Sequence, residues 1–209
     1  MANQTWAGLA NWGTAWTGAG TALSSAATAT ISPQPSANYD FPVQNGGLYG
    51  GWYTGLILRV TARGFLTTTA TAGTLIWLLA ANTANGASAT YTTLATTGSL
   101  TTTTSVFTGI QWRLEAFIRC TGVASSGNTV STQGELTIGS NATAPTLATT
   151  TNGLALWLPM PAVSGETAVA LNTAFGGTGG VPLGLALRCT QATSACTVQL
   201  TQWVIEALD

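Results

Sequence analysis

The sequence predicts an all-β fold: a jelly-roll-like two-sheet sandwich of about eight strands with an extended N-terminal arm. Three observations lead there. Strand-favouring residues are abundant, and Thr alone makes up roughly a fifth of the 209 residues. From about residue 48 onward, short stretches of alternating apolar and polar residues recur between Gly-, Asn- and Ser-rich turns. No segment carries the capping boxes or i,i+4 charge pairs of a helix.

Residues 1–47 are expected to form the arm. They hold Trp6, Trp12 and Trp16 in the near-repeat NQTWAGLA, ANWGTA, AWTGAG. Pro33, Pro35 and Pro42 follow, around Asn38 and Tyr39, and then Gly46-Gly47. Those spacings and prolines leave no period of 3.6. Tryptophans are costly to leave in water, so the arm lies either on its own domain or on a neighbouring subunit. Trp6, Trp12, Trp16 and Tyr39 are therefore candidate interface residues.

Residues 48–209 are expected to form the sandwich. They open on LYGGWY, where Tyr49, Trp52 and Tyr53 suit sugar stacking or a protein interface, with packing at the sandwich end as the alternative. TGLILRVTARG places Leu56, Leu58, Val60 and Ala62 on one face and Arg59, Thr61 and Arg63 on the other. TLIWLLAA is apolar on both faces and suits a strand covered on each side. ATYTTLA comes next. QWRLEAFIRCT points Trp112, Leu114, Ala116, Ile118 and Cys120 inward and Arg113, Glu115 and Arg119 outward, with Phe117 the exception. NTVSTQGELTIG turns Leu136 and Ile138 inward, and LALWLP, TAVALNTAF, LGLALRCT and CTVQLTQWVIEAL complete the series.

Charge is the scarcest commodity in the chain. There are five basic residues, all Arg, six acidic residues and no His. Charged residues make up 5% of the chain, against about a quarter in an ordinary domain. Catalysis near neutral pH draws on tuned His, Lys, Cys or paired carboxylates, and Ser or Thr nucleophiles need a base. That stock is nearly empty, so a structural or binding protein is expected, with no enzyme activity and no cofactor. A net charge of -1 offers nothing to nucleic-acid phosphates. The longest apolar run, Leu75 to Ala81, falls far short of the roughly 18 residues of a membrane span, and MANQTWAGLA lacks the basic and apolar regions of a secretory signal. With so little charge to keep molecules apart, the chain is expected to work inside an assembly.

The remaining motifs are weak. The three Cys show no metal-ligand spacing, and Cys120 reads as a small buried hydrophobe. Cys189 and Cys196 bracket TQATSA between two strand patterns. If those strands form a hairpin, the two Cys are opposed and a disulfide can span them; two reduced thiols are the alternative. Glu115 and Glu135 are expected to meet Arg113 or Arg119 in cross-strand ion pairs rather than act as a glycosidase pair. GGTGG at Gly176–Gly180 lacks the Lys of a phosphate-binding loop.

Four stretches carry a family resemblance: the opening MANQTWAG with its Trp-Gly repeats, TGLILRVTARGFLTTT, WRLEAFIRCTGVASSGNTVSTQGELTIG, and the closing VQLTQWVIEAL. Together they resemble small virion proteins of tailed bacteriophages that infect high-GC Actinobacteria. The absence of Lys beside abundant Ala, Gly and Thr fits GC-rich coding. The resemblance implies a jelly-roll capsid decoration or minor capsid protein, often trimeric, assembled in the host cytoplasm and bound to the major capsid protein. Some similar sequences belong to tails, which keeps open a minor tail or tail-fibre protein that binds host glycan. The family supplies no catalytic residues.

Overall fold

A computed structural model describes residues 21–22, 28–31, 54–82, 91–102, 106–124, 127–139, 156–169, 184–192 and 196–208. Among them are twelve strands and no helix. The strands are β1 (Thr21–Ala22), β2 (Thr28–Thr30), β3 (Ile57–Thr67), β4 (Gly73–Asn82), β5 (Tyr91–Thr96) and β6 (Leu100–Thr102). They continue with β7 (Ile110–Ala124), β8 (Gly127–Ile138), β9 (Leu156–Pro161), β10 (Thr167–Val169), β11 (Gly184–Ala192) and β12 (Thr197–Leu208). The alternating segments supply β3, β4, β5, β7, β8, β9, β11 and β12. In TAVALNTAF the strand covers Thr167–Val169.

The strands form two antiparallel sheets. The larger has the order β1-β12-β3-β7-β8-β10, with β9 also on β8. The smaller has the order β2-β11-β4-β5, with β6 also on β4. The early pair β3 and β4 thus runs beside the final pair β12 and β11, one strand of each in either sheet. This is the rolled pairing of a jelly-roll-like sandwich. Two pieces of the expected arm join it: β1 extends the larger sheet beside β12, and β2 extends the smaller beside β11. Ile31 follows β2, is buried, and donates its N–H to Leu187 O at 2.8 Å.

The core lies between the sheets, and period-2 alternation builds it. Leu58, Val60, Ala62 and Leu66 of β3 and Trp112, Leu114, Ala116, Ile118 and Cys120 of β7 face inward and are buried. Leu75, Trp77, Leu79 and Ala81 of β4 and Leu185, Leu187 and Cys189 of β11 face them from the other sheet. In β12 the inward set changes parity, from Val198 and Leu200 to Trp203 and Ile205. A bulge between Leu200 and Gln202 makes the change, since one extra residue turns the following side chains over. The bulged strand lies close to Gly64 of β3, where an added Cβ would fall 1.8 Å from Gln199 O and 2.7 Å from Trp112.

Buried threonines finish the ladders where strands part. Thr97 donates its N–H to Trp77 O and accepts the Trp77 N–H on its hydroxyl, both at 2.9 Å. Thr68 and Phe107 repeat the exchange: Thr68 N–H donates to Phe107 O at 2.9 Å, and Phe107 N–H donates to the Thr68 hydroxyl at 3.0 Å. The Thr102 hydroxyl accepts from Gly73 N–H at 2.9 Å and donates to Gly73 O at 3.2 Å. A short hydroxyl side chain stands in for a backbone carbonyl, which gives part of the Thr content a structural use. Thr97→Val keeps the shape but leaves the Trp77 N–H buried without its acceptor. It is expected to cost about 1–3 kcal/mol of unfolding free energy, read by urea denaturation. A cost near zero would show that the hydroxyl is dispensable.

Candidate functional site

The charged residues are not scattered. Four of the five arginines (Arg59, Arg63, Arg113, Arg119) and three of the six acidic residues (Glu115, Glu135, Glu206) lie on the outer face of the seven-stranded sheet. They stand at alternate positions of β3, β7, β8 and β12, opposite the core residues, so the alternation that buries the apolar side chains also gathers the charge. The register orders them in rows. Gln202, Arg63, Arg113, Thr137 and Trp157 form one row across β12, β3, β7, β8 and β9. Val204, Thr61, Glu115, Glu135 and Pro159 form the next.

Like charges therefore face one another twice, Arg63 opposite Arg113 and Glu115 opposite Glu135. Directly opposed like charges are destabilising unless each finds a partner. Arg113 supplies one along its own strand, its guanidinium donating to Glu115 Oε2 at 2.6 Å. Glu135 accepts the indole N–H of Trp157 at 2.8 Å. The expectation of cross-strand pairing is thus corrected for these two carboxylates. Glu115 pairs along its strand because Arg113 lies two residues away on the same face, and Glu135 is taken by a neutral donor from β9. A cross-strand ion pair does form elsewhere: Arg59 of β3 and Glu206 of β12 are register partners, and Arg59 Nε donates to Glu206 Oε2 at 2.6 Å. Both ion pairs are partly exposed, and each contributes about 0–1 kcal/mol.

The outer face of the five-stranded sheet is different. Its central strands present Ile76 and Leu78 from β4 and Ala186 and Thr190 from β11. Among the described residues it has one charge, Arg188, whose guanidinium lies 4.0 Å from the centre of the Tyr91 ring. Thr28 and Thr190 share a hydroxyl hydrogen bond at 2.7 Å. Ala80 and Ala186 are fully buried although they point away from the core. The expectation that β4 is covered on both sides holds at Ala80, with Ile76 and Leu78 half-buried.

Comparison with known proteins finds no matching family model and no significant match among curated proteins or solved structures.

Cys189 and Cys196 are not hairpin partners. β11 belongs to the five-stranded sheet and β12 to the seven-stranded one, and Cys189 faces Trp77 on one side and Ala29 on the other. Two strand patterns separated by a short polar segment look the same whether the chain returns within one sheet or crosses to the other, and here it crosses. Both are buried between the sheets, and no disulfide joins them. The Gln191 side chain ties the crossing together: its Oε1 accepts the Cys196 N–H at 2.9 Å and its Nε2 donates to Cys196 Sγ at 3.3 Å. Burial, and then the neighbouring Cys196, push the Cys189 thiol well above its ordinary range. It stays protonated and unreactive. Cys120 is also buried, as expected, and burial raises its thiol, partly offset by hydrogen bonding with the Gly122 backbone.

The candidate binding residues Trp6, Trp12, Trp16, Tyr39, Tyr49, Trp52 and Tyr53 lie outside the described residues, as does the Gly176–Gly180 stretch. Among the described residues no group of three His, Cys, Asp or Glu is placed to hold a metal ion, and no helix is long and apolar enough to cross a membrane. Sequence reading passed over Trp157, which is 58% exposed. Its signal was present in LALWLPMP: inward Leu158 and Met160 alternate with outward Trp157, Pro159 and Pro161. Proline at alternate positions marks an edge strand, and β9 pairs with β8 alone among the strands of its sheet.

Proposed function

We propose that this chain is a structural protein of a tailed-phage virion, a capsid decoration or minor capsid protein that binds and stabilises the head. One observation carries the reading: the split between a charged sheet face and a nearly charge-free one. A face of Ile76, Leu78, Thr190 and small side chains, whose one charge among the described residues, Arg188, is already stacked on Tyr91, desolvates at less electrostatic cost than the opposite face with its seven charges. A protein arranged this way lies on a surface by one face and meets solvent with the other. The scarcity of catalytic side chains and the resemblance of four sequence stretches to phage virion proteins support the same assignment. The partner is the major capsid protein, and the protein acts as a homotrimer whose repeated contacts add avidity.

The test is binding to undecorated shells. The intact protein is expected to sediment with shells and to have the mass of a trimer in solution. Ile76→Asp places a carboxylate on the charge-poor face and is expected to weaken binding at least about tenfold at unchanged fold, since a buried unpaired charge is strongly unfavourable. Deletion of residues 1–20, with Trp6, Trp12 and Trp16, is expected to weaken it as well. A monomer that ignores shells would refute the head assignment. A few copies per virion would favour the tail protein instead.

A further inference from the structure

The outer face of the seven-stranded sheet holds a patch that the proposed shell contact does not use. Trp157 is more than half exposed at the edge of a sheet face, and its N–H is already bound to Glu135. What the indole offers to solvent is its carbon framework, held in place by a hydrogen bond. Beside it stand Glu135 and Glu115 in one row and Arg113 and Arg63 in the adjacent row. All four are planar groups with hydrogen-bonding capacity, and their charges sum to zero.

We propose that this patch binds a neutral carbohydrate, with a pyranose ring stacked on Trp157 and its hydroxyls bonded to the flanking carboxylates and guanidinia. Three features select this ligand class. An aliphatic ring face covers an exposed indole and removes its apolar surface from water. Each sugar hydroxyl both donates and accepts, so it can meet Glu and Arg together. A neutral ligand suits a patch of zero net charge, whereas an anion would meet Glu115 and Glu135 and a cation would meet Arg63 and Arg113. A protein partner fits less well: the core of a protein interface is apolar and poor in charge, and the outward residues of β8 nearest Trp157 are Thr137 and the charged Glu135. From β3 to β9 the patch crosses three strand spacings, about 14 Å, room for more than one sugar. The site is independent of the head assignment and uses none of the residues invoked for shell binding.

The test is affinity electrophoresis of the full chain in native gels cast with dextran, mannan or xylan, with hyaluronan as the acidic counterpart. Retardation is expected with at least one neutral polymer. Trp157→Ala is expected to weaken it at least tenfold, Trp157→Phe to keep part of it, and Glu135→Ala to weaken it by loss of both the ring tether and an acceptor. Phe65→Ala, on the same sheet face but outside the patch, is expected to leave it unchanged. Circular dichroism of each variant separates lost binding from lost folding, and Trp157→Phe retains a ring should the alanine variant fail to fold. No retardation by any neutral polymer would overturn the proposal, as would equal retardation of Trp157→Ala or binding to hyaluronan alone. A change in oligomeric mass on Trp157→Ala, with no change in sugar binding, would assign the ring to a protein interface and overturn it too.

Discussion

Gly64→Ala is expected to destabilise the sandwich by about 3 kcal/mol or more, the upper end of what overpacking a core costs. The added methyl would fall 1.8 Å from the carbonyl oxygen of Gln199 and 2.7 Å from the Trp112 ring. A side chain can rotate away from a clash, but the Gln199 carbonyl is backbone of β12, held beside β3 by the ladder that continues through the bulge. Relief therefore requires the two strands to part. Gly98→Ala is the control, since a methyl added there meets nothing within 4 Å. Urea denaturation of both variants reads the difference. A Gly64→Ala protein within about 0.5 kcal/mol of the parent would mean that β3 and β12 do not approach as described.

Trp77→Ala is expected to cost about 3–5 kcal/mol, the usual range for deleting a large buried aromatic. Trp77 is the largest of the fully buried side chains and lies on β4 between the sheets. Its indole N–H has no hydrogen-bond partner among the described residues. That detail gives a second expectation: Trp77→Phe should cost distinctly less than Trp77→Ala, because it retains much of the ring and removes an unsatisfied donor rather than a hydrogen bond. If the phenylalanine variant were as unstable as the alanine one, the N–H would have a partner that matters. Trp157→Ala should by contrast stay within about 0.5 kcal/mol of the parent, as exposed positions do.

The reach of the sequence depended on which physical signal each element carries. β3, β7 and β8 alternate over many residues, so the pattern fixed both the strand and the direction of its side chains, down to the outward Phe117. β1 and β2 have two and three residues, too short for any period to emerge from a Thr/Ala background. Their existence depends on pairing with β12 and β11, strands distant in sequence. The bulge in β12 left a trace, the change from Val198 and Leu200 to Trp203 and Ile205, but alternation alone does not say where the extra residue sits. The expected opposition of Cys189 and Cys196 across a hairpin failed because hydrophobic pattern reports which face is buried and is silent on which sheet a strand joins. The charged patch was legible residue by residue as outward positions. Its rows, with Arg63 opposite Arg113 and Glu115 opposite Glu135, required the register, which only the folded chain provides.

The prolines of β9 bear on how such a protein survives at high concentration. A chain with net charge of -1 has little long-range repulsion to keep its copies dispersed, and a fold built of strands exposes sheet borders onto which another molecule can add. β9 sits at such a border, and Pro159 and Pro161 occupy two of its six positions. Neither has an N–H to donate, so an invading strand cannot complete a continuous ladder there. Replacing both with threonine is expected to preserve the strand and to raise self-association at high concentration, read by light scattering. With so little charge for electrostatic repulsion, β9 opposes edge growth through covalent geometry instead.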